Sequence, residues 1–446
     1  MSLCCGRDKR ERRSRITIKR TMTRRVTGSY SFGLAFLMVA LVPVAIHANI
    51  RDSVDTSEAR RSMRTSFTAP AAEIALRATR VIGQSGGRLV RYSVEASSDS
   101  VYQIFAPEHA GAYPVFGAGT YIVRHDRRTD SIDQVKVFLL THPGFFVRIF
   151  PDGERSRMDL YVNHVMTYRN VRIPFEFDRV LTEPFSRIVE STRSIVAWDI
   201  VSPDVGDSRH LLVAGMVDSI RAALPSLEDA DDGAMDVAGN AVFISTREPQ
   251  LTSAGMNCSG FAKWVADGLF GPRTGGYLTI DRLSERHHGM RGTGWSAAFE
   301  DERDPFFGLD WTRNIATALS ESTGRSPSVR DRDVRTVRYS RYVENVGYPI
   351  DELGRILYLL ALESPGEFYF GSVNREFNDV PRLRRHSHVV VLFPYFDSRG
   401  RFQAVVMERN VETDVGSLVS RYKGAGIHLV SASADDTFDP ARFNVD

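Results

Sequence analysis

Between residues 88 and 177, apolar and polar positions alternate in short runs: RLVRYSV, VYQIFAP, TYIVRH, DQVKVFLL, FFVRIF, RMDLYV and VRIPFEF. A period of two with turn residues between runs predicts strands that bury one face. Pro151-Asp152-Gly153 supplies one of the turns. Residues 85–205 thus predict a small, mainly antiparallel β-domain. The period then lengthens. Leu212, Met216, Ile220 and Ala223 recur at helical spacing and predict a helix over 209–224, ended by Pro225 and the acidic run 228–232. Residues 206–446 mix helical and strand texture, an α+β pattern, within which 271–350 are weakly periodic and read as a long insertion. Residues 49–84 are polar and weakly periodic, and read as a linker.

One run is apolar throughout, residues 32–46 (FGLAFLMVALVPVAI), and it follows a tail, 1–25, with ten Lys/Arg against Asp8 and Glu11. Fifteen residues fall short of the roughly 20 that span a bilayer. A basic lead, a short apolar stretch and the small Ala48 have the order of a secretory signal peptide. Residues 1–48 are therefore read as a signal peptide or, uncleaved, as an N-terminal anchor, with Met22 a second possible start. Either version exports the body to the periplasm or cell envelope, and the anchor is the only membrane contact expected. The net charge of +2 hides the tail's +8, so the remaining 421 residues carry −6. That balance argues against nucleic-acid binding by the folded body. The 42% apolar content excludes wholesale disorder.

Export changes what the cysteines mean. Cys4 and Cys5 precede the apolar run, which leaves Cys258 alone in the processed chain. A lone thiol makes no internal disulfide and is either a small buried hydrophobe or a reactive group. Its neighbours, Met256-Asn257-Cys258-Ser259-Gly260-Phe261, favour the second reading. Phe261, Val265 and Leu269 are spaced for a helix starting at Cys258, with Asn257 a good N-cap. Unsatisfied N–H groups and the dipole at a helix start stabilise a thiolate nucleophile and can receive an oxyanion.

A thiolate needs an imidazole. His388 opens the buried-strand run Val389-Val390-Val391-Leu392-Phe393, and Asp397-Ser398-Arg399-Gly400 turns the chain back toward Glu408-Arg409-Asn410. A three-residue loop with Gly400 left-handed pairs Asp397 with Arg401, which sets His388 opposite Asn410 and Val390 opposite Glu408. His388, Glu408 and Asn410 then share one face of the hairpin. His386, two residues away, is expected on that same face and competes for the role. The His386-x-His388 pair with His287-His288 is also a zinc alternative, although nothing fixes a three-ligand geometry.

Asn257-Cys258-Ser259-Gly260-Phe261 resembles the nucleophile motif of NlpC-type cell-wall cysteine peptidases. Pro365-Gly366-Glu367-Phe368-Tyr369-Phe370 is similar to the strand before that family's histidine, and His388-Val389-Val390-Val391 to its histidine strand. Glu408-Arg409-Asn410 resembles the Glu-x-Asn of CHAP amidases. The match covers about 237–432, in islands. The family usually has Asp where Asn257 stands and an upstream tyrosine that Ala241-Val242-Phe243-Ile244-Ser245 lacks, and Cys258 and His388 are unusually far apart at 130 residues. The resemblance implies a papain-like α+β catalytic domain with a long insertion, and an exported cysteine hydrolase cleaving peptide or amide bonds of peptidoglycan. It assigns catalysis to Cys258, His388, Glu408 and Asn410, with no cofactor or metal, and leaves the oligomeric state open. The alternative is a non-catalytic envelope binding or scaffold protein that keeps the same core.

Overall fold

The computed structural model describes residues 55–201, 206–251, 254–291, 304–378 and 383–443, so the expected signal or anchor segment lies outside the described residues. The N-terminal sheet has eight strands, β1 (Arg80–Gly83), β2 (Leu89–Ala96), β3 (Ser100–Pro107), β4 (Tyr121–Asp126), β5 (Ser131–Phe138), β6 (Phe146–Asp152), β7 (Arg155–Val162) and β8 (Val165–Ile173); the alternating runs fall in β2 to β8, and β1 comes from the segment read as a linker. The eight strands pair in chain order as an antiparallel meander. Tyr92, Phe105, Val123, Val135, Val147 and Leu160 alternate onto its buried face. Helices α1 (Ser57–Ser62), α3 (Phe177–Thr182) and α4 (Phe185–Thr192) accompany this sheet, while the short α2 (Ala71–Ile74) packs near Val101 of β3.

The described part of the segment read as a linker, from residue 55 on, therefore contributes to the core. Ala59, Met63 and Phe67 are buried there. Arg60 is buried too, donating to the carbonyls of Val180, Leu181 and Glu183 at 3.2, 2.6 and 2.7 Å. Its charge satisfies carbonyls at the end of α3 that have no helical partner. Polar composition concealed this, because one buried arginine bound to carbonyls and three apolar side chains do the packing.

The C-terminal half holds a six-stranded sheet in the order β11-β16-β12-β13-β14-β15. After the two-residue strands β9 (Ala234–Met235) and β10 (Ala241–Val242), its members are β11 (Tyr348–Pro349), β12 (Glu367–Phe377), β13 (Leu383–Phe396), β14 (Phe402–Glu408), β15 (Val411–Asp414) and β16 (Gly426–Ser433). Helices α5 (Arg209–Ala223), α6 (Cys258–Thr274), α7 (Ile280–Leu283) and α8 (Phe307–Glu321) cover one face. Helices α9 (Leu353–Glu363) and α10 (Val415–Arg421) cover the other. The pleat of β13 divides accordingly: Val389, Val391 and Phe393 pack with Phe261 and Val265 of α6, whereas Val390 and Leu392 pack with Ile356 and Leu418.

The second of these cores is continuous with that of the meander. Tyr358 of α9 packs its ring 4.6 Å from Phe145 and donates its hydroxyl to the Ile200 carbonyl at 2.7 Å. The two sheets are distinct, but α9 makes them one packed body. Nor does 271–350 simply loop out. Its helix α8 buries Trp311 and Ile315 against α6, and the Trp311 indole donates to the Ser259 carbonyl at 3.0 Å. Among the described residues no helix is long and apolar enough to cross a membrane.

Candidate functional site

Asn257 caps α6: its backbone is extended and its Oδ1 accepts the Gly260 N–H at 2.9 Å. Cys258 is thus the first helical residue, as a thiolate site requires. The glycine two residues later has a packing reason. A Cβ on Gly260 would stand 2.0 Å from the Gly233 carbonyl oxygen, so only glycine lets the 233 chain pass. That chain is held by Asn257 N–H to Gly233 O, 3.0 Å, and Met256 N–H to Glu228 O, 2.9 Å. Cys258 itself is 1% exposed. Beside its cap a cleft of about 180 Å³ opens, lined by Asn257, Asp231, Asp232, Arg247, Arg286 and Phe307 among others. Asp304, also on its wall, has its carboxyl raised by burial, against the pull of Arg286 and Arg291.

The hairpin that carries the other three candidates turns as a three-residue loop. Gly400 has φ +71° and donates its N–H to Asp397 O at 2.8 Å, while Asp397 N–H donates to Arg401 O at 3.0 Å. This register brings His388 and Glu408 together: Nε2 of His388 lies 2.5 Å from Oε2 of Glu408. The second carboxylate oxygen of Glu408 pairs with Arg421, and the His388 ring stacks on Tyr422 at 5.4 Å and 21°. Both residues are nearly buried, at 4% and 5% exposure. Glutamate holds the imidazole, and arginine holds the glutamate.

Asn410 is not part of that set. Strand β14 ends at Glu408, which pairs with Val411, so Arg409 and Asn410 form a two-residue turn with φ +49° and +66°. Two consecutive positive φ values mark the tight turn that suits the twist of a hairpin. The Asn410 amide donates to the Glu228 carbonyl at 2.6 Å, and Arg409 pairs with Asp229. The turn therefore clamps the loop that leads to α6.

Cys258 is not brought to His388 either. His388 has the parity of Val390 and Leu392 and faces α9 and α10, with Tyr422, while α6 covers the opposite face. A sheet side chain changes face only with a register change. One does occur, just upstream: Val373 pairs with His388 but Asn374 with His386, leaving Ser387 as a bulge. His386 and His388 consequently point to opposite faces, which corrects the expectation that they share one. His386 lies on the α6 and α8 side, where its Nδ1 meets Ser372 Oγ at 2.9 Å and its Nε2 meets the Asn345 carbonyl at 2.8 Å. Burial pushes its pKa down to about 3, although the Asn345 contact opposes the shift. Both ring nitrogens are committed within the fold.

The divergence of the two rings also separates the His386-x-His388 pair as a chelate, and His287 is engaged by Asn314 at 2.6 Å. Among the described residues no three His, Cys, Asp or Glu side chains gather to hold a metal ion. Sequence reasoning did not single out Arg421 or Tyr422. An i, i+1 pair in a helix's last turn carries no motif, and only the fold sets it against His388.

Residues 47–200 match a family model described as a domain of unknown function (DUF8515). The match takes in α1 to α4 and the whole meander, and stops before α5 and the Cys258 region. Searches of curated proteins and of solved structures give no match.

Proposed function

We propose that this chain is an exported binding or scaffold protein of the cell envelope, built on a papain-like core whose thiolate–imidazole pair is not assembled. A single observation carries the reading: His388 faces α9 and α10 while Cys258 heads the helix on the other side of the sheet. His386, which lies on the α6 and α8 side, has both ring nitrogens engaged. General-base catalysis requires the base within hydrogen-bond reach of the proton it removes.

A specific observation favours a second reading, the peptidoglycan cysteine hydrolase. Cys258 does occupy the first position of a capped 17-residue helix beside a cleft, and His388 is held by a carboxylate. In that reading Cys258 is the nucleophile, His388 the acid and base, and Glu408 its orienting partner, with Asn410 holding the α6 approach loop. Digestion of purified peptidoglycan with the wild type and Cys258→Ala separates the two. Binding without release of fragments by either protein supports the first reading. Fragments released by the wild type and lost in Cys258→Ala establish the second.

A further inference from the structure

The outer face of the meander, away from the shared core, carries an unneutralised basic cluster. Lys136 on β5 and Arg148 on β6 stand directly opposite each other. Their neighbours Val135, Val137, Val147 and Ile149 fill the core, so these two side chains project to the other side. The Lys136 ammonium sits 3.9 Å from the ring centroid of Phe146 and 4.4 Å from that of Phe138. The Arg148 guanidinium lies 5.5 Å from Phe146 and 5.3 Å from Tyr161, and those two rings stack at 4.5 Å. At the adjoining turns stand His142 and His164, 6.1 Å apart.

Like charges directly opposite across two strands are destabilising. Among the described residues neither Lys136 nor Arg148 has an ion pair or a hydrogen bond, and the Arg148 Nε is buried with no partner. The acid that faces the cluster is Asp159, across from Arg148 on β7, and its carboxylate already accepts the Asn170 N–H at 2.8 Å. Burial lowers the pKa of Lys136, His164 and His142. Arg148 lowers Lys136 further, Lys136 lowers His164, and His164 lowers His142. The groups oppose one another's charge in a linked series, and a bound anion relieves every step of it.

We propose that this patch is a phosphate-binding site, with the Arg148 fork and the Lys136 ammonium bridged by the phosphate oxygens and the Phe146–Tyr161 stack as its apolar floor. A guanidinium pairs two oxygens at once, an ammonium adds a compact charge, and the half-buried setting strengthens both. The site extends the binding reading above but rests on different residues, so it stands even if the α6 region proves catalytic.

The test titrates the full chain with inorganic phosphate at low ionic strength, following the His142 and His164 ring protons by NMR. The expected result is a saturable rise in their titration midpoints that sodium chloride of equal ionic strength does not reproduce. Lys136→Met, which keeps the apolar stem, and Arg148→Gln each weaken it about tenfold, the scale of one lost charged contact. Arg148→Lys, which retains the charge, weakens it less and keeps the test valid if Arg148→Gln unfolds. Binding to phosphatidylglycerol vesicles but not phosphatidylcholine vesicles, lost in the same variants, assigns the phosphate to a lipid headgroup. Midpoints that move equally in chloride, or variants that bind both probes like the wild type, overturn the proposal.

Discussion

His386 offers a quantitative test of the core beneath the candidate site. Its ring is 3% exposed and held neutral, with its pKa pushed down to about 3 by burial. In the unfolded chain an imidazole titrates near 6.5, so below that value the unfolded state takes up a proton that the folded state refuses. Stability from this residue is complete above pH 6.5 and is lost as pH falls toward about 3, at about 1.4 kcal/mol per pH unit. Between pH 8 and pH 5 the loss amounts to about 2 kcal/mol. His125, lowered to about 4 by burial, behaves alike, and other buried groups add their own slopes. Comparison with His386→Gln cancels these shared terms. Urea unfolding of both proteins at pH 8 and pH 5 is the assay. The wild type should lose about 2 kcal/mol more than the variant over that interval. Equal losses would refute a neutral, buried His386 and the bulge that puts it there.

Three further outcomes follow from the geometry. Gly260→Ala forces a Cβ onto the Gly233 carbonyl and should cost about 3 kcal/mol or more, read as a lowered urea midpoint. Asn410→Ala removes one of the two donors to the Glu228 carbonyl, which keeps the Met256 N–H, and should cost about 1 kcal/mol in the same measurement, without altering the His388 ring resonances. Gly400→Ala at φ +71° should cost about 1 kcal/mol, and a neutral result would mean that the hairpin loop is not left-handed there.

How much was legible follows from what each residue's signal depends on. The meander was readable because alternation and turns are local: six of its eight strands, β2 to β7, coincide with apolar runs in the sequence, and a seventh run meets the end of β8. The capped start of α6 was readable for the same reason. Packing of 57–67 was not, since Arg60 binds carbonyls more than 100 residues away and polar composition reads as linker. Helix α8 was missed because its charged residues are buried in pairs: Arg313 with Asp333, and Asp310 with Arg291. At the site, the Gly400 loop fixed the hairpin register, and period-two counting carried it as far as Glu408. Counting failed at the next two features. The turn at Arg409-Asn410 ends the strand, and the Ser387 bulge reverses the parity of His386. Counting residues along a hairpin also cannot tell which of its faces a distant helix will cover, and that is what decides the relation of Cys258 to His388.

That relation is most directly tested by asking whether the two side chains titrate together. The rate of Cys258 alkylation by iodoacetamide is measured from pH 5 to pH 9 in the full chain and in His388→Gln, with near-ultraviolet circular dichroism confirming that both are folded. A sheet between the thiol and the imidazole predicts superimposable pH profiles, because no proton is shared. A profile displaced by a pH unit or more when His388 is replaced would show that the pair is coupled. The binding reading would then give way to the hydrolase.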